Sequence, residues 1–212
     1  MTEAERAARE EMAALAASLF ARGFSVGSAG NISMRLEDGF LITPTNSCLG
    51  RLAPERIARL DAAFAHVGGD KPSKEVFMHR AFYQERTDAG AVVHLHSTWA
   101  TAVACLADAD QANPIPPLTP YFVMRIGRTM PIVPYYRPGD AKMEPAIAEA
   151  ARGARAVLLA NHGPVVSGRT LTDAVHAAEE LEEAAKLFML LRRDTTRLLT
   201  DDQVNDLLAT FG

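Results

Sequence analysis

The chain predicts an α/β domain, with hairpins and strands interleaved with helices and a central sheet carrying helices on its faces. Short aliphatic and β-branched runs at 91–96, 130–135 and 156–160 alternate with helix-like stretches at 2–22, 73–86 and 170–193. No repeat or low-complexity linker interrupts this alternation, so residues 1–212 are expected to form one domain.

Taken in order, residues 2–22 read as an amphipathic helix. Thr2 and Glu5 form a capping box, and Gly23 is a natural stop. Gly27 and Gly30 bracket a turn before a strand at 31–35, which pairs across Glu37-Asp38-Gly39 with 40–43. A hydrophobic stretch at 60–67 ends at Gly68-Gly69, and Ser73 is the expected N-cap of a helix running to Arg86. The strand at 91–96 leads into a helix at 98–106. Residues 111–120 carry four prolines and read as an ordered loop. A strand at 130–135, a helix from Gly139-Asp140 to Arg152, a buried strand at 156–160 and a short partner at 165–166 follow. Thr170–Arg193 is one long helix, and Thr200 with Gln203 caps a last one.

Composition narrows the function. The 212 residues are 48% hydrophobic and 23% charged, as in a chain that buries its own core. A net charge of −4 with no basic stripe argues against nucleic acid as a partner. Cys48 and Cys105 are far apart and outside any CxxC pattern; they predict small buried hydrophobes in a reducing cytoplasm. No apolar run is long enough to span a bilayer, and the first residues carry no apolar signal core.

Chemistry concentrates in three places. In His94-Leu95-His96, residues two apart on a strand project to one face, so both imidazoles can reach one ion. His162 follows another strand and could complete a three-imidazole set, which suits Zn²⁺ or a similar ion and leaves a coordination position open. Chance placement of the pair, one histidine in the core and one in a loop, is the competing reading. Glu75 falls in the first turn of its helix, where it is either a general acid/base near the metal or ordinary helix-end chemistry. Gly27–Ser33 is either an anion-binding nest or a glycine-rich turn, with Thr43–Asn46 and Ser73 able to add hydroxyls. His79, one turn after Glu75, either supports it or packs. His66 and His176 have no partner in view, and Glu179–Glu183 reads as a solvated helix face.

Gly-Asn-Ile-Ser, Leu-Ile-Thr-Pro-Thr, Pro-Ser-Lys-Glu, Val-Val-His-Leu-His and Asn-His-Gly-Pro, in this order over nearly the whole chain, resemble the class II aldolase/adducin family. The resemblance implies a three-layer αβα fold around a mixed, largely antiparallel sheet, assembled as a homotetramer with active sites between subunits. It also implies one Zn²⁺ per subunit, or another divalent metal, on His94, His96 and His162. Glu75 becomes a catalytic acid/base that can also approach the metal, with Tyr121 a further candidate for positioning or proton transfer. Gly30, Asn31, Thr45, Asn46, Ser73 and Lys74 match the substrate phosphate region, Asn46 and Lys74 being departures from the sugar-phosphate aldolases. Asn-Ser-Cys-Leu-Gly, Val-Pro-Tyr-Tyr-Arg-Pro-Gly-Asp and Leu-Ala-Asn-His-Gly-Pro-Val-Val are similar to the branch that decarboxylates 3-oxo-tetronate 4-phosphates through a zinc-stabilised enediolate. A ketose-phosphate aldolase or epimerase, a zinc hydrolase and a metal-free adducin-like module are the alternatives. The implied partner is a small phosphorylated sugar acid, without nucleic acid or membrane.

Overall fold

The computed structural model describes residues 1–211. One eight-stranded sheet runs through it, built from β1 (Asn31–Leu36), β2 (Gly39–Ile42), β3 (Ala58–Asp61), β4 (His66–Gly68), β5 (Ala91–His94), β6 (Ile132–Val133), β7 (Ala156–Leu159) and β8 (Gly163–Gly168). The spatial order is β4-β3-β2-β1-β5-β8-β7-β6. Every neighbouring pair is antiparallel except β6 with β7. The sheet is therefore mixed and largely antiparallel, as expected.

Side chains alternate across the pleat and seed a core on each face. On one face, Ile32, Leu41, Val93, Leu158 and Val166 pack with α1 (Glu3–Ala21), α3 (Thr98–Ala104), α4 (Pro120–Ile126) and α6 (Leu171–Leu191). On the other, Phe40, Ile42, Val92, Val157 and Val165 pack with α2 (Val76–Glu85) and α5 (Glu144–Ala151). These are the two outer layers of an αβα sandwich. A final helix, α7 (Asp201–Phe211), lies against α4.

Several boundaries differ from the sequence expectation for local reasons. The stretch at 60–67 is not continuous, because the Asp61 carboxylate accepts from the backbone of Ala63 and Ala65 at 2.9 Å and turns the chain into the β3–β4 hairpin. The proline-rich loop ends in α4, which the sequence reading missed; Thr119 caps it and Pro120 occupies its first turn, where a missing N–H costs nothing. The 130–135 strand contracts to two residues, and 165–166 extends to six. A 3₁₀ turn at 141–143 delays α5 to Glu144. Ser73 is not the N-cap of α2; Glu75 is, and the Ser73 hydroxyl accepts from its N–H at 3.2 Å. The cysteines are not core residues either, Cys105 being exposed and Cys48 half-buried.

Glu182 overturns the expectation of a solvated helix face. It is buried on α6, and its two carboxylate oxygens accept from the backbone N–H of Trp99 and Ala100 at 2.8 Å each. A remote carboxylate thus caps α3, the helix that begins just after His96, where the dipole favours negative charge. Glu182→Ala is expected to lower stability by about 2–3 kcal/mol through two orphaned N–H groups. Urea unfolding at fixed pH measures this, with Glu182→Gln recovering part of the loss.

Candidate active site

At one end of the sheet, three chain segments meet. β5 ends at His94, and the path continues one ladder bond further, with the Leu95 N–H donating to the Pro164 carbonyl at 3.2 Å. His96 lies just past the strand end, yet the two-residue spacing still sends both imidazoles to one spot. His162 sits in the turn between β7 and β8, where Asn161 adopts φ 57°. Two glycines bring these segments together. A Cβ on Gly163 (φ 154°) would stand 2.3 Å from the Leu95 carbonyl oxygen, and one on Gly30 (φ 80°) would stand 2.8 Å from that of His94. Either clash would push a histidine-bearing segment aside.

The three Nε2 atoms converge. Those of His94 and His162 each lie 3.1 Å from Nε2 of His96. Tetrahedral zinc with Zn–N of about 2.0–2.1 Å would space its nitrogens about 3.3 Å apart. His94 is fixed in the productive tautomer, since its Nδ1–H donates to the Pro164 carbonyl at 2.8 Å and leaves Nε2 bare. Burial, reinforced by His162 and His96, holds the His94 imidazole well below the usual histidine range. Burial also lowers His96, with His162 adding to the effect, and it lowers His162 despite the opposing pull of Glu75. Three Nε2 atoms thus face one point, with burial disfavouring protonation of each ring, a donor set that fits a divalent cation.

Glu75 faces this triangle. Its carboxylate oxygens lie 3.9 Å from Nε2 of His94 and 4.0 Å from that of His162, close to any ion held between the rings. The side chain is buried, and Oε2 accepts from the Asn31 amide N–H at 2.8 Å. Register explains the meeting. Asn31 pairs with His94 and Ser33 with Val92, so all four project toward α2, whose N-cap position Glu75 occupies.

A cavity of about 370 Å³ opens in front of these groups. Glu75, His96 and His162 line its floor, while Ser28, Gly30, Asn31, Thr45, Asn46, Ser73 and Lys74 line its sides. The structure thus brings together every site residue expected from the sequence except Tyr121. That residue is 62% exposed and lies in a groove with Phe24 and His176, because α4 directs it to the α1–α6 side of the sheet. Within one chain it does not reach the cavity. The Pro164 carbonyl and Tyr83 escaped the sequence reading, and Ser33, read there only as part of the Gly27–Ser33 turn, contributes through a buried hydroxyl. Ser33 was signalled by its two-residue spacing from Asn31, and Tyr83 by its four-residue spacing from His79.

Comparison with known proteins agrees with this geometry. Residues 10–189 match the Class II Aldolase and Adducin N-terminal domain. The chain is 51% identical over 204 residues to the 3-oxo-tetronate 4-phosphate decarboxylase of Escherichia coli K12, covering 96% of both. It is 35% identical to the L-fuculose phosphate aldolase of Escherichia coli O6:H1, covering 89% of this chain and 86% of that one. The crystal structure of Escherichia coli YgbL superposes with a TM-score of 0.93 at 49% identity, covering 97% of this chain and 99% of the other. An L-fuculose 1-phosphate aldolase superposes at 0.87 with 28% identity, covering 96% and 95%. With its sheet order, its paired glycines and its three converging imidazoles, the chain belongs to the class II aldolase and adducin N-terminal domain family.

Proposed function

We propose that the protein decarboxylates a 3-oxo-tetronate 4-phosphate to dihydroxyacetone phosphate and CO₂, acting as one domain of residues 1–212 with one Zn²⁺ on His94, His96 and His162. The observation that carries the reading is the convergence of three imidazoles and a buried carboxylate at the floor of a cavity with hydroxyl, amide and ammonium groups at its rim. Relatives about half identical over nearly the whole chain bear the decarboxylase name, which supports this substrate over a ketose phosphate.

The substrate is a β-keto acid, with its carboxylate at C1, a hydroxyl at C2, a ketone at C3 and phosphate on C4. Breaking the C1–C2 bond releases CO₂ and leaves its electron pair in an enediolate across C2 and C3, and C2 then takes up a proton. A divalent cation held by His94, His96 and His162 would supply Lewis-acid polarisation and a counter-charge. Glu75, once it has taken up a proton from solvent, hands it to C2. The turn at Gly30, Thr45, Asn46 and Ser73 receives the phosphate beside the N-terminus of α2, whose dipole favours an anion. Lys74 adds a positive charge at the exposed rim, where it can bind phosphate without anchoring the departing carboxylate.

Lys74→Ser is accordingly expected to raise KM about 10-fold with little change in kcat, the pattern of binding energy shared by ground and transition states. Unchanged kinetics would remove Lys74 from the site.

By family resemblance the enzyme is a cytoplasmic homotetramer. The exposed Tyr121, Leu187 and Leu190 offer apolar surface for assembly, and light scattering measures it. Among the described residues, no helix is long and apolar enough to cross a membrane.

The deciding experiment follows dihydroxyacetone phosphate and CO₂ together from 3-oxo-tetronate 4-phosphate, with zinc-loaded and chelated protein. Equal release of both, lost on chelation and restored by metal, is expected. No turnover by metal-loaded protein, with aldehyde release from fuculose 1-phosphate instead, would overturn the decarboxylase assignment.

A further inference from the structure

Beneath Glu75 lies a line of buried polar side chains that the chemistry above does not use. Behind the Glu75–Asn31 contact, the Asn31 Oδ1 is hydrogen-bonded to Nε2 of His79. Nδ1 of His79 is 2.7 Å from the Ser33 hydroxyl, which is 2.8 Å from the Tyr83 hydroxyl. Asn31, Ser33, His79 and Tyr83 are all buried.

Donor and acceptor chemistry allows this chain only one direction. A carboxylate accepts only, so Asn31 presents its NH₂ to Glu75 and its oxygen to His79. That oxygen also only accepts, so Nε2 of His79 carries the hydrogen. The ring is neutral, because full burial lowers His79 to about 3. Its Nδ1 is therefore bare and receives the Ser33 hydroxyl hydrogen, and the Tyr83 hydroxyl donates to Ser33. The donors run Tyr83, Ser33, His79, Asn31, and the last acceptor is Oε2 of Glu75.

The geometry points to His79 as a positioning residue: through Asn31 it locks which Glu75 oxygen is hydrogen-bonded and which faces the cavity free to exchange a proton with substrate. This rests on the proton-transfer role of Glu75 proposed above. Without a donor at position 79, the Asn31 amide can rotate by a half-turn, and its oxygen would then face a carboxylate oxygen. Glu75 would lose both its anchor and its fixed orientation. His79 touches neither substrate nor the three imidazoles, so its effect belongs in proton transfer rather than in binding.

Two variants separate these possibilities. Glutamine places an amide N–H near the position of Nε2, so His79→Gln keeps the donor to Asn31, whereas His79→Leu removes it. The readout is metal-loaded enzyme catalysing deuterium exchange from D₂O into the hydroxymethyl group of dihydroxyacetone phosphate, which reports proton transfer without decarboxylation. His79→Leu is expected to lower kcat for exchange about 10–100-fold with KM and metal content unchanged, and His79→Gln to stay within about threefold of the parent. Independently of whether His79→Leu folds, ¹⁵N spectra of the parent protein are expected to show His79 as the Nε2–H tautomer. Equal exchange in parent and both variants, an equal loss in both variants, or an Nδ1–H tautomer would overturn the inference alone. No exchange by the metal-loaded parent would overturn the role of Glu75 and this inference with it.

Discussion

Glu75→Gln is expected to lower kcat for dihydroxyacetone phosphate formation about 10²–10⁴-fold, the range that general acid–base catalysis supplies. The substitution is close to silent structurally. A glutamine carbonyl can still accept the Asn31 N–H that now bonds Oε2, so the start of α2 and the β1–β5 register stay in place. What disappears is an oxygen able to carry a proton to C2. KM should change little, because the proposed phosphate contacts are made by other side chains, those of Thr45, Asn46, Ser73 and Lys74. Steady-state kinetics with a parallel metal assay decide it. A fall in kcat with full metal occupancy supports the acid/base role, whereas a fall that tracks metal loss would recast Glu75 as a ligand.

Loss of an imidazole is expected to do more. His96→Ala should abolish stoichiometric metal binding and reduce turnover by at least about 10⁴-fold, since two remaining nitrogens cannot hold a divalent ion competitively. His96 is the informative choice. It is only partly buried, so alanine there leaves a smaller packing defect than at fully buried His94. Metal content by elemental analysis and thermal unfolding of the metal-free proteins should then part company. Metal binding is lost, while the melting temperature of metal-free His96→Ala stays within a few degrees of the metal-free parent. A variant that still binds one metal per chain would show that His96 is not a required ligand.

Much of this site was legible in the sequence because its reporters are local. The two-residue spacing of His94 and His96 encodes a shared face, and it held even though the strand ended at the first of them. The turn at Gly30 was legible too, whereas the close backbone approaches that Gly30 and Gly163 permit show only in the fold. What escaped depended on partners distant along the chain. Glu182 looks like any acidic residue on a long helix until α3 presents two unpaired N–H groups to it, 83 and 82 residues away. Pro120 reads as the end of a loop, yet a proline with a threonine before it serves equally as a first helical turn. Asp61 splits an apolar run by folding its carboxylate onto the backbone, a choice hydropathy does not record. Tyr121 entered through family resemblance alone, and the direction of α4 keeps it from the cavity of its own chain.

Burial is divided unevenly around the cavity. His94 and Asn31 are buried on strands and Glu75 at the N-cap of α2, while Asn46 and Lys74 are exposed and Thr45 is half-exposed. Substitutions at the exposed positions perturb little packing, whereas those behind them shift strands and ligands together. The chemistry is thereby insulated from change in what the rim selects. Libraries confined to positions 45 and 74, leaving Asn46 in its left-handed conformation (φ 57°), should retain the fold while sampling new phosphorylated substrates.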